Sequence, residues 1–265
     1  AESIIEYTGS DVGPRIIPVS ANIPYYPNLV ISGTAGTTQT TNSMNLVVKG
    51  DLDVESSTFL LDGNYGEYVT VGDDVIINGG TLTYESIGVR YMNIEGDIVF
   101  TGSGTFNATT GGAENTLSLK GNIQQANGTI NLGAGGRLLT VALVGSTNSL
   151  YTSNGNIADF YRLKINKEAG MVAQFNGDFN LYGSTNATNK ALTLISGECY
   201  LNNSSIAIDL STGGNAFRIP SGTTLRVDNG TLVKVGGSAS NTGIWLDGAL
   251  IVDNGGKVYC NQGSG

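Results

Sequence analysis

An aliphatic stretch that ends in glycine returns along this chain about every 25 residues, and this return constrains the fold more than any other feature. It closes LVVKG at Gly50, VTVG at Gly72, NIEG at Gly96, SLKG at Gly121 and ALVG at Gly145. It continues with KEAG at Gly170, TLISG at Gly197, RIPSG at Gly222 and WLDG at Gly248, at spacings of 22, 24, 25, 24, 25, 27, 25 and 26 residues. About six residues after each glycine lies a second column: Asn78-Gly79, Gly102, Asn127-Gly128, Asn176-Gly177, Asn203, Asn229-Gly230 and Asn254-Gly255. Asn and Gly tolerate the positive φ of tight corners, so this column reads as a turn.

Between the corners the apolar residues alternate. Leu46, Val48, Leu52 and Val54 form one set, Met92, Ile94, Ile98 and Phe100 another, and Ile244, Leu246, Leu250 and Val252 a third. A period of two means strand, and no stretch has helical spacing. The pattern predicts an all-β fold, a right-handed single-stranded parallel β-helix (β-solenoid) of about nine to ten coils. At about 4.8 Å per coil the rod is on the order of 40–45 Å long. A lone coil buries too little apolar surface to order its own backbone, so the coils must stack.

Residues 1–28 hold Pro14, Pro18, Pro24 and Pro27, four of the five prolines. Proline blocks ladder pairing, so an N-terminal cap or irregular lead-in is expected there. The parallel β-helix follows over 29–260, with loops at 148–156 and 184–189, and 261–265 reads as a flexible tail. No cap is visible at the C-terminal end, and an open edge invites pairing. The expected partners are therefore neighbouring modules of the same polypeptide, or identical chains end to end.

Composition removes whole classes of function. Only 13% of the residues are charged, the net charge is −9, and Lys and Arg form no cluster, which excludes nucleic acid as a partner. With no histidine, the commonest general base and transition-metal ligand is missing. No 18-residue apolar run is present, so no membrane insertion is expected. The chain opens at Ala1 without a basic, apolar leader, so a signal segment is expected to have been removed or to lie upstream. Secretion or a cell-surface location is the expectation.

Candidate sites are few. Trp245, the one tryptophan, alternates outward between Ile244 and Leu246 and could stack on a sugar ring or a neighbouring module. Tyr84, Tyr91 and Tyr182 are further candidates for ligand or interface contact, and surface glycans are the partner that such a strip would suit. Arg90, Arg137, Arg162, Arg218 and Arg226 are scattered without an acidic stack, so no catalytic residues are expected and the chain is read as non-enzymatic. Asp51 with Asp53, and Asp73 with Asp74, read as solvated turn carboxylates. Calcium is the one cofactor they could hold, although neither the nonapeptide nor the EF-hand spacing occurs. Cys199 and Cys260 alternate inward and read as buried free thiols, because two coils separate them too far for a disulfide.

Tyr26-Pro27-Asn28-Leu29-Val30-Ile31 is echoed by Phe160-Tyr161-Arg162-Leu163-Lys164-Ile165, and Gly-Asp-Leu-Asp-Val from Gly50 by Gly-Asp-Phe-Asn-Leu from Gly177. This phrasing resembles the repeats of very large secreted surface proteins of Bacteroidota, adhesins and gliding-related filaments exported by the type IX route. The resemblance covers 26–260 and implies a structural or adhesive rod segment without catalytic residues. A carbohydrate-binding or polysaccharide-cleaving β-helix is the first alternative, and a trimeric attachment fibre the second.

Overall fold

The computed structural model describes residues 3–9, 15–34, 38–41, 45–61, 67–85, 88–111, 114–183, 191–210, 216–237 and 243–262. These residues form an all-β solenoid without helices, in which every strand-to-strand ladder is parallel. Each turn runs along three faces. The first face stacks Asn28–Gly33 on Leu52–Val54, Val75–Ile77, Ile98–Phe100 and Ile123–Gln125, and ends at Thr223–Asp228 and Ala249–Val252. The second runs from Arg15–Ile17 through Thr81–Tyr84 to Phe179–Leu181. The third carries Leu46–Val48, Glu67–Val71, Arg90–Ile94, Asn115–Leu119, Leu139–Gly145 and Arg162–Lys167. Leu46, Val48, Leu52 and Val54 thus lie on two faces that meet at a corner, and all four point inward.

The glycine corner between the third and first faces has a specific cause. Asn28 Oδ1 accepts the backbone N–H of Asp51 at 2.8 Å, and Asp51 Oδ1 that of Asp74 at 3.0 Å. Asp74 then receives Asp97, Asp97 receives Asn122 (each at 2.7 Å), and Asn122 receives Leu150 at 2.9 Å. The residue before each ladder member passes directly over the acceptor of the turn below. A Cβ on Gly50 would lie 2.0 Å from Asn28 Oδ1, one on Gly96 2.3 Å from Asp74 Oδ1, and one on Gly121 2.2 Å from Asp97 Oδ1. Glycine and Asx are therefore one device: the carboxylate or amide ties the turns together, and the missing side chain makes room for it.

The opposite corner uses positive φ. Gly79, Gly128 and Gly177 adopt it, as do Asn203 (56°), Asn229 (46°) and Asn254 (43°). Inside, the first turns are filled mainly by aliphatic chains such as Leu29, Val48, Leu52, Val71 and Ile77. From Tyr151 onward an aromatic cluster takes over, with Tyr151, Phe160, Phe175 and Phe179 rings 5.1–6.1 Å apart.

Three sequence expectations shift. The ladder begins before residue 28, because Ile4–Gly9 pairs residue for residue with Asn28–Gly33. The proline-bearing stretch 18–27 is still irregular, with only an antiparallel bridge between Ser20 and Ile23 and a parallel one between Tyr26 and Val48. At the other end Asn261 and Gln262 belong to Lys257–Gln262, which pairs with Leu232–Gly237, so the strand runs past Cys260; residues 263–265 lie outside the described set. Of the two loops expected, 184–189 also lies outside it, whereas 148–156 contains the strand Ser149–Ser153.

Candidate functional site

The four aromatic candidates are not brought together. Tyr84 is fully buried, its ring stacked 6.2 Å from Phe106, so it is a core residue and not a surface contact. Its hydroxyl has no hydrogen-bond partner, and burial holds its pKa far above the ordinary tyrosine value. Tyr91 is half-buried on the third face and stacks on Tyr68, with centroids 5.0 Å apart and planes inclined by 19°. Tyr182 is exposed just after the second-face strand Phe179–Leu181, where its hydroxyl donates to Asp159 Oδ1 at 3.2 Å. Trp245 is 61% exposed on the last turn. Its indole N–H donates to Asp247 Oδ1 at 3.1 Å, and the Arg218 guanidinium lies 5.5 Å over its ring. Arg218 itself grips Asp247 Oδ2 through Nε and Nη2, at 2.9 and 2.7 Å.

A concave feature of the surface lies elsewhere, on the first face where the Asx ladder stops. Beyond Asn122 that column continues as Leu150, Gln174, Tyr200 and Arg226. Together with Asn148, Val172 and Glu198 they line a shallow groove of about 430 Å³. The Arg226 guanidinium stacks 5.3 Å over the Tyr200 ring, and the Tyr200 hydroxyl donates to Asp228 Oδ2 at 3.0 Å. Glu198 and Asp253 stand 3.8 and 3.7 Å from Arg226, outside hydrogen-bond range, and Arg226 Nε is buried without a partner. Sequence reasoning missed this groove although its signal was present. Once Cys199 and Leu201 point inward, Tyr200 must point out, and a register of 26 residues places Arg226 beside it.

Among the described carboxylates, Asp51, Asp73 and Asp74 bring oxygens within 4.8 Å of one another. Two of the three already serve as ladder acceptors for backbone N–H groups. Burial, reinforced by Asp97, Asp73 and Asp51 nearby and opposed by the Asp97 N–H bond, raises the Asp74 pKa. Asp53, half-buried beside Glu55 and Asp51, is pushed up to about 6, chiefly by burial. Cys199 is buried and free, with its thiol pKa pushed up by burial, whereas Cys260 is free and exposed. The inward alternation of Cys260 does not bury it; among the described residues its strand, Lys257–Gln262, pairs on one side, with Leu232–Gly237. Lys167 is an unexpected, fully buried charge. Its ammonium donates to the carbonyls of Lys120 (2.8 Å) and Val144 (2.6 Å), no carboxylate among the described residues is paired with it, and burial lowers its pKa to about 8.

Among the described residues no helix is long and apolar enough to cross a membrane. Compared with protein-family models, curated proteins and solved structures, the chain matches none.

Proposed function

We propose that this chain is a non-catalytic structural and adhesive rod segment of a larger secreted or cell-surface protein, of the kind its phrasing resembles in Bacteroidota. The observation that carries the reading is the Asx ladder, which spends outward side chains of five successive turns, three carboxylates and two amides, on tying turn to turn. Side chains committed to backbone N–H groups are withdrawn from acid–base work and serve to keep the coil in register. One core column running the length of the coil gives each added turn the same support as the last. No cofactor enters this reading.

The test is location. An antibody raised against the chain labels intact source cells or their culture medium if the reading holds; labelling that requires lysis contradicts it. The second reading, glycan binding, is favoured by the groove at Tyr200 and Arg226, where an aromatic edge, a loosely paired guanidinium and amide side chains converge. Enrichment of a polysaccharide that is lost in Arg226→Ala supports that reading, and absence of enrichment at millimolar sugar leaves the plain spacer.

A further inference from the structure

The groove at Tyr200 and Arg226 has an arrangement of charge that selects among sugars. The Arg226 guanidinium presents its two terminal nitrogens to two different carboxylates. Nη1 lies 3.8 Å from Glu198 Oε1, and Nη2 lies 3.7 Å from Asp253 Oδ2. Both separations are too long for a hydrogen bond, yet one small polar group beside each pair can reach both atoms. The fork is held in place from behind. It lies 5.3 Å over the Tyr200 ring, and the Tyr200 hydroxyl is tied to Asp228. Register adds to this, because Tyr200 pairs with Arg226 and Glu198 with Thr224 on the same two strands.

A group that fills either gap must accept from an N–H and donate to a carboxylate at once. A hydroxyl does both, whereas an ionised carboxylate only accepts and an ammonium only donates. Two gaps flank one planar fork, so the ligand needs two hydroxyls side by side, as on adjacent carbons of a sugar ring. Charge narrows the class further. Glu198, Asp228 and Asp253 surround the one guanidinium, so the site carries more negative than positive charge. A uronate or a sulfated sugar would enter against like charge. Shape adds the last element. Asn122, Leu150, Gln174, Tyr200 and Arg226 follow one another turn by turn along the rod. At about 4.8 Å per turn this column spans about 19 Å, room for a run of linked sugars and not for one alone.

We propose that this groove binds an uncharged polysaccharide laid along the rod, with two adjacent ring hydroxyls of one sugar bridging Arg226 to Glu198 and Asp253. The proposal rests on the glycan-binding reading above and deepens it by naming the class of sugar. Arg226 donates to both hydroxyls, the two carboxylates accept from them, and Leu150 and Val172 offer apolar contact to the C–H groups of the neighbouring rings.

The test is retention of the whole chain by immobilised polysaccharides, with dextran, mannan and xylan as uncharged probes and alginate and polygalacturonate as polyuronates. The expected result is retention by at least one uncharged probe and by neither polyuronate. Arg226→Lys, which keeps the charge and removes the fork, weakens that retention at least tenfold. Glu198→Ala does the same, and both variants keep the melting curve of the parent chain. Cleaving the adjacent hydroxyls of the retaining probe with periodate, followed by borohydride reduction, abolishes its retention. Retention by a polyuronate that is lost in Arg226→Ala overturns the uncharged class and spares the glycan reading. Retention by an uncharged probe that is indifferent to Arg226→Lys, or that survives periodate, overturns the hydroxyl bridge and likewise spares glycan binding. No retention by any probe at millimolar sugar overturns both.

Discussion

The turns from Asn28 to Asn122 and the turns from Tyr151 to Asp228 solve the same stacking problem with different chemistry. In the first region the corner is a glycine beneath an Asx ladder, and the core is mainly aliphatic. In the second, the corner column holds Gly145, then Lys167, then a bulge where Asn166 pairs with Ser196, out of step with Ile165 and Leu194. The ladder of carboxylates gives way to the Tyr200–Arg226 groove, and the core fills with Tyr151, Phe160, Phe175 and Phe179. Repetition of one local device gives a featureless, regular surface. Where the device is interrupted, the backbone bulges, a charge is buried and a concavity opens. The irregular half is where chemistry beyond support has room to reside.

The largest expected effect is at a ladder corner. Gly121→Ala puts a methyl group 2.2 Å from Asp97 Oδ1 and 2.3 Å from the Gly96 carbonyl, which backbone cannot yield cheaply. A loss of about 3 kcal/mol is expected from overpacking of this severity, measured by urea unfolding. In the irregular region Gly222→Ala meets nothing within 4 Å and bears only the cost of its positive φ, about 1 kcal/mol. Equal losses at the two glycines would erase the distinction between the regions.

The second effect concerns Lys167. Its folded pKa of about 8 lies below the ordinary 10.5, so between these values the unfolded chain binds a proton that the folded chain has released. Stability then rises as pH rises from about 8 to 10.5, by about 3 kcal/mol in total. Lys167→Met flattens this slope, checked by thermal melts across that range. The regular region has the opposite sign in acid. Asp53, raised to about 6, makes stability fall as pH climbs from about 4 to 6, and Asp53→Asn removes that decline.

Smaller effects follow from lost hydrogen bonds. Asp97→Ala removes the acceptor of the Asn122 N–H and of the Asn122 and Gln124 side-chain amides and should cost about 2 kcal/mol, and Asp97→Asn, whose own NH2 would face those amide donors, should recover only part of it. Tyr84→Phe deletes a buried hydroxyl that bonds nothing, and a gain of up to about 1 kcal/mol in chemical denaturation is expected.

Much of the fold was legible because the two corners have different chemical demands. Positive φ requires Gly or Asn, and a ladder acceptor overhead requires Gly followed by Asx, so both columns are written in residue types. Legibility fails where a different residue satisfies the same geometry. Asp73, not Gly72, occupies the corner column between Gly50 and Gly96, and Lys167, not Gly170, pairs with Gly145. Counting glycines alone therefore slips the register by one to three residues at those turns. The lead-in is shorter than its prolines suggest because they speak only for 18–27, and Ile4–Gly9 carries no glycine corner to announce it. Tyr84 shares the alternation of Leu82, which sends both side chains inward, so the pattern itself speaks against a surface contact there. The groove is legible only when the outward residue between the inward Cys199 and Leu201 is carried to the next turn, where Arg226 stands beside Tyr200.

The central claim, one continuous parallel coil, is tested most directly by through-hydrogen-bond N–C′ couplings in the NMR spectrum of labelled chain. The account predicts couplings from the amide nitrogen of Leu52 to the carbonyl of Asp74, from Val75 to Asp97 and from Ile98 to Asn122, each joining residues one turn apart. Amides of these strands coupled instead to carbonyls in the reversed, pairwise pattern of antiparallel hairpins would contradict it.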